Sequence, residues 1–126
     1  MGKGFEDLEL YREARILRVR VFKLAKLLPD HEKWALAQQM RRAALSVTNN
    51  IAEGPGSKSF KHNISYLYRS RGSTCELQDD LNTCDDERYF QSEHLNDLRK
   101  QSETVLRLLN GYIRHLRVRM AQDESE

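Results

Sequence analysis

The sequence is poor in residues that break helices. Its 126 residues include only 6 Gly and 2 Pro. A β-sandwich or a wound α/β sheet turns too often to be built from so few, so both are excluded. Cysteine is equally scarce: Cys75 and Cys84 are too few for a disulfide scaffold. No run approaches the roughly 18 consecutive apolar residues of a membrane span. The segment Met1-Gly2-Lys3-Gly4-Phe5-Glu6-Asp7 lacks the apolar stretch of a secretory signal. These absences predict a cytoplasmic protein with reduced thiols and no membrane partner.

What is present suits long helices. Hydrophobic residues make up 39% of the chain and charged residues 32%, and the length fits one domain with a single core. Three breaks divide the sequence. Leu28-Pro29-Asp30 stops one segment, with Asp30 as a cap for the next. Gly54-Pro55-Gly56-Ser57 is the strongest break, Gly54 being suited to a left-handed helix end. Asp85 to Ser92 is the third, with Ser92 as an amino-terminal cap. Four helices are predicted near residues 8–28, 31–53, 58–86 and 92–120, followed by a disordered acidic tail, 121–126.

Each segment repeats apolar residues at alternating three- and four-residue intervals. The first reads Leu10, Ala14, Leu17, Val21, Leu24, Leu28, and the second Leu36, Met40, Ala43, Val47, Asn50. The third reads Leu67, Ser70, Thr74, Leu77, Leu81, Cys84. The fourth reads Leu95, Leu98, Ser102, Val105, Leu109, Tyr112, Leu116. Such spacing produces knobs-into-holes contacts between near-parallel helices. Short loops make successive helices antiparallel, so the predicted fold is an all-α, antiparallel, up-down-up-down four-helix bundle.

The polar seam residues Asn50, Ser70, Thr74 and Ser102 are suited to fixing register or partner choice. Small residues (Ala43, Ala44, Gly72, Ser73) are expected to let backbones approach closely. Beyond the seam, helix 1 carries Tyr11, Ile16, Val19 and Phe22, helix 2 carries Trp34 and Ile51, and helix 3 carries Tyr66 and Tyr68. One bundle needs only about three core positions in seven, so this surplus predicts a second face that meets another copy.

The residues of several known chemistries are missing. No Glu has a His three residues later, as a di-iron bundle requires, and no HExxH pair is present. Gly54-Pro55-Gly56-Ser57-Lys58 lacks the ending of a phosphate-binding loop. The nine-residue spacing of Cys75 and Cys84 puts them on opposite helix faces. No catalytic residue, metal or cofactor is expected, and the chain is not expected to be an enzyme. The acidic set Glu76, Asp79 and Asp80 shares one face of helix 3 and calls for cations from Arg41, Arg42 or another copy. Divalent metal binding is the weaker alternative.

The net charge of +2 conceals a strong segregation. Residues 8–28 carry six cations against Glu9 and Glu13, a balance of +4, and residues 91–121 carry a balance of +3. Residues 72–90 set six carboxylates against Arg88 alone, a balance of −5. A molecule with basic and acidic parts suits a polyanion or head-to-tail self-association. Arg12, Arg15 and Arg18 recur every three residues on helix 1, and Lys58 and Lys61 stand at the start of helix 3, where free N–H groups favour phosphate. These five are the candidate nucleic-acid contacts. A solvated, salt-bridged face is the plainer reading of the same residues.

The run Gln39-Met40-Arg41-Arg42-Ala43-Ala44-Leu45-Ser46-Val47-Thr48-Asn49-Asn50-Ile51-Ala52-Glu53-Gly54 resembles the hallmark of a bacterial four-helix-bundle family. Its members include the proteins encoded in intervening sequences of 23S ribosomal RNA genes. The accessory variability determinants of diversity-generating retroelements are related to them. Phe5-x-Asp7-Leu8, Leu28-Pro29-x-x-Glu32, Gly72-Ser73-x-x-Glu76-Leu77 and Leu81 extend the resemblance over nearly the whole chain, which departs from the pattern at Arg71 and Pro55. The resemblance implies a cytoplasmic bundle assembled as a ring, commonly a pentamer. Members of the retroelement branch bind nucleic acid and a reverse transcriptase; this chain matches the intervening-sequence branch better, so a reverse transcriptase partner is expected only if the retroelement branch applies. It further gives Arg41, Arg42, Asn50, Glu53 and Glu76 a structural or interface role. Two functions follow as expectations. One is a homo-oligomer whose basic face holds RNA or DNA backbone. The other is a structural adaptor whose arginines serve subunit contacts and which binds a protein.

Overall fold

In the computed structural model, which describes residues 4–125, the periodic segments become four helices. They are α1 (Glu9–Lys26), α2 (Leu36–Glu53), α3 (Phe60–Asp86) and α4 (Ser92–Ser125). Short 3₁₀ turns, Phe5–Asp7 and Asp30–Glu32, precede the first two, and no strand occurs among the described residues. Each helix touches its two neighbours around the bundle, while α1 and α3, and likewise α2 and α4, stand diagonally apart. Cross-links between neighbours fix the antiparallel order. Ser46 and Ser73 hydroxyls meet at 2.7 Å, Arg71 Nη1 donates to Asn110 Oδ1 at 2.8 Å, and Gln101 Nε2 donates to the Glu13 carbonyl at 3.1 Å. The fold is the predicted bundle.

The core is the predicted seam with two shifts. Leu17, Val21, Met40, Val47, Leu67, Leu77, Leu81, Leu95, Val105 and Leu109 are all essentially inaccessible. Ile51, expected outside, is fully buried, whereas Asn50 is half-buried and donates to the Ser46 carbonyl at 2.9 Å. Ile113 likewise replaces Tyr112 in the core. Both shifts have one cause: 3.6 residues per turn drift from a strict 3.5 repeat, so a four-residue step wins where a three-residue step was expected. Tyr11, Phe22 and Tyr68 lie against the core and are half-buried, so they are not the open surplus they promised to be.

The buried hydroxyls are satisfied. Ser70 donates to the Val47 carbonyl at 2.8 Å, tying α3 to α2, while Thr74 donates to the Ser70 carbonyl at 2.9 Å. Gln78 reaches across from α3 to Ser102 on α4 at 3.0 Å. Every such bond avoids the penalty of an unpaired polar group in the core.

The helix ends depart most from expectation. Asp30 does not cap α2, which begins at Leu36, where Glu32 Oε1 accepts from the Leu36 N–H at 3.4 Å. Ser59, not an expected cap, accepts the His62 N–H at 3.2 Å and starts α3. Ser92 lies inside α4, and its hydroxyl donates to Asp85 Oδ1 at 3.0 Å. Gly54 is right-handed (φ −57°). It is needed for room, since a Cβ there would stand 2.1 Å from Asn63 Oδ1. Gly72, expected at a close approach, faces open space. The acidic tail is helical through Ser125 because Ala121-Gln122-Asp123-Glu124 contains no breaker; Glu126 lies outside the described residues.

Candidate nucleic-acid interface

Antiparallel pairing of α3 and α4 sorts charge along the hairpin. Residues 58–75 carry Lys58, Lys61, Arg69 and Arg71 and no carboxylate, and residues 104–122 carry Arg107, Arg114, Arg117 and Arg119 and no carboxylate. These two stretches lie side by side at the open end of the hairpin. Towards the turn the same helices carry Glu76, Asp79, Asp80, Asp85, Asp86, Glu93, Asp97 and Glu103.

At the open end the cations rest on aromatic rings. The Arg71 guanidinium lies 4.6 Å from the Tyr68 ring centre and that of Arg117 lies 5.3 Å from the same ring. Arg119 stands 5.4 Å from Phe60, and Arg69 stands 5.4 Å from Tyr66. Stacking on a ring holds a guanidinium in place and leaves its charge uncancelled. The ion pair found among the described residues is elsewhere, at the acidic end, where Arg99 meets Asp85 at 3.1 Å. Arg71 is thus part of this face.

The five expected phosphate contacts are divided by the fold. Lys58 and Lys61 are exposed at the tip of the α3–α4 face. Arg12 and Arg15 are exposed at the same end of the rod but on α1, diagonally opposite α3, and Arg12 Nη1 donates to the Asp7 carbonyl at 2.7 Å. Arg18 leaves the stripe: it is half-buried and donates to Thr48 Oγ1 on α2 at 3.0 Å. Reasoning from the linear sequence missed Arg69, Arg71, Arg114, Arg117 and Arg119 as a group. The signal was available in the two carboxylate-free stretches, which only the hairpin brings together.

Among the described residues the acidic set forms no ion pair with Arg41 or Arg42, although Glu76 and Arg42 border the same groove. Glu76 and Asp79 are exposed, but Asp80 is 5% exposed and its Oδ2 has no hydrogen-bond partner. Burial, with Glu76 and Asp79 beside it, pushes its carboxyl up to about 7. Burial also raises the Cys84 thiol to about 11, which leaves it an inert core residue, while Cys75 is exposed. Near the turn, Tyr89 donates to Glu32 at 2.7 Å, and that bond raises the phenol to about 12. Hydrogen bonds from Ser92 and Arg99 lower the Asp85 carboxyl. No group of three His, Cys, Asp or Glu side chains among the described residues is placed to hold a metal ion.

Arg42 and Glu76, two of the expected interface residues, line one open groove of about 450 Å³ with Trp34, Gln38, Gln39, Ser46 and Ser73. Trp34 is 75% exposed at its rim. Arg41 faces a separate groove with Asp30 and Lys33, and Glu53 is exposed at the end of α2. No helix among the described residues is long and apolar enough to cross a membrane.

Comparison with known proteins agrees with this architecture. No curated protein matches. Among solved structures, a protein of unknown function from the S23 ribosomal protein family of Bacteroides thetaiotaomicron superposes with a TM-score of 0.78. It shares 22% identity over 83% of this chain and 95% of its own, a likeness of fold. The family model described as 23S rRNA-intervening sequence protein matches residues 6–111, from the first 3₁₀ turn to the middle of α4. With the bundle and the match covering the same helices, the chain belongs to the 23S rRNA-intervening sequence protein family.

Proposed function

We propose that this chain is a non-catalytic, cytoplasmic homo-oligomer, a pentameric ring being the favoured form, whose basic face binds RNA or DNA backbone without reading sequence. One observation carries the reading: eight cations in two adjacent stretches, 58–75 and 104–122, with no carboxylate in either and Asp123 beside Lys58 at the tip. An unneutralised cationic surface of this kind attracts a polyanion through counterion release. Lys58 and Lys61 form its tip, and Arg12 and Arg15 add charge at the same end. Ile16, Val19, Leu27 and Trp34, all more than 40% exposed, supply the apolar area that a neighbouring copy would cover.

The test is solution mass by light scattering, then titration of the assembled protein with RNA and DNA over a range of salt. The expected result is a multiple of the 14.8 kDa protomer, with log K falling against log salt by about 0.7–0.9 for each phosphate neutralised. A monomer, or no binding at low salt, contradicts the reading.

The groove between α2 and α3 favours a second reading, a structural adaptor that binds a protein and keeps its arginines for subunit contacts. Arg42 and Glu76 line that groove together. Reversing Arg41 and Arg42 to Glu separates the two. Collapse of the assembly assigns these residues to the oligomer; loss of nucleic-acid binding from an intact assembly assigns them to the ligand.

A further inference from the structure

The rings on the basic face are already occupied. Phe60, Tyr66 and Tyr68 each carry a guanidinium, and Tyr112 stacks on His115 at 6.3 Å with the planes 16° apart. These are all the aromatic residues of stretches 58–75 and 104–122, and all four are half-buried. The widely exposed ring, Trp34, stands near the α1–α2 turn at the opposite end of the rod. Single-strand binders depend on open ring faces on which successive bases stack. This face has cations where such platforms would be.

The cations also form two rows rather than one track. Lys61 and Arg71 lie along one edge of α3, and Arg114 and Arg117 lie along the facing edge of α4. The Arg71 and Arg117 guanidiniums, 4.6 and 5.3 Å from one ring centre, stand at most about 10 Å apart, between the roughly 6 Å and 12 Å widths of the two grooves of a B-form duplex. Both rows stand on helices packed into the bundle and have little freedom to follow a flexible strand. Tyr68 joins the rows by seating Arg71 from one helix and Arg117 from the other.

We infer that the basic face is built for double-stranded nucleic acid, held by its two backbones, and that Tyr68 is a positioning residue that sets the spacing of the two guanidiniums. The inference rests on the nucleic-acid reading above and names the form of the ligand. Its chemistry is charge and spacing, with no base stacked on the protein.

The experiment measures fluorescence anisotropy of the full-length protein with an RNA duplex of about 20 base pairs, longer than the footprint of known double-strand readers, and with each of its strands alone. The duplex should bind at least about tenfold more tightly than either strand at equal salt. Tyr68→Ala should remove most of that preference, while Tyr68→Phe, which keeps the ring, should retain it; thermal melts of both variants confirm that the bundle is intact. A strand that binds as tightly as the duplex overturns the inference and leaves the backbone-binding reading standing. A duplex preference unchanged in a folded Tyr68→Ala protein removes the role of Tyr68. Absence of binding to duplex and strands alike overturns both readings.

Discussion

The two ends of the α3–α4 hairpin are made of the same helices and treat charge in opposite ways. Near the turn, two carboxylates are settled internally while Glu76, Asp79 and Asp86 stay exposed. Asp85 holds Arg99 and Ser92, and Asp80 is buried with its carboxyl raised to about 7. At the open end, guanidiniums rest on rings and on Asn110, partners that fix their position and cancel none of their charge. An end that keeps exposed carboxylates repels a polyanion. An end whose charge is positioned but uncancelled is prepared for one.

The largest effect should come from reversing that contrast. Changing Arg71, Arg117 and Arg119 together to Glu should weaken nucleic-acid binding about a thousandfold at low salt, each lost phosphate contact contributing roughly tenfold. Reversing Glu76, Asp79 and Asp86 to Lys should leave binding equal or tighter. Anisotropy titrations of the two triple variants, with circular dichroism to confirm helicity, read the outcome.

Asp80 tests the acidic end. Its folded pKa of about 7 lies above the ordinary carboxylate value of 3.8, so the folded state keeps a proton that the unfolded chain releases between about pH 4 and 7. Stability therefore falls as pH rises through that window. Asp80→Asn should stabilise the protein by about 2–4 kcal/mol at pH 8, with the gain shrinking below pH 7 and gone near pH 4. Urea melts at several pH values measure this.

At the open end, Gly54→Ala should cost about 1–3 kcal/mol, because the added methyl meets the buried Asn63 amide. Asn63→Ala should relieve that clash, so the double variant should be more stable than the two single changes predict by addition. The smallest effect belongs to Arg99→Ala, a lowering of the melting temperature by about 1–3 °C at neutral pH. Because Asp85 is lowered, this difference should fade as pH falls through its folded pKa.

The core was readable because burial imposes a period that survives in one dimension. Leu10 through Leu28 and Leu67 through Cys84 are buried as their spacing requires. Asn50 and Ile51 mark the limit, since a strict three-four alternation drifts from the true helical turn. The caps were less readable because several residues near each break can cap, and neighbouring side chains decide among them. The basic face was hidden for a different reason. Arg12, Arg15 and Arg18 look like a stripe because they are close in sequence. Arg71 and Arg117 share one ring across 46 positions. Register between two helices creates that proximity, and composition within either helix does not contain it.

The most direct test of the account is hydroxyl-radical footprinting of the assembled protein, free and bound to an RNA duplex, with the oxidised peptides identified by mass spectrometry. Protection on binding concentrated in residues 58–75 and 104–122, with little between 76 and 103, is the predicted result. Protection centred on the acidic half of the hairpin, or on α2 around Trp34, would contradict it.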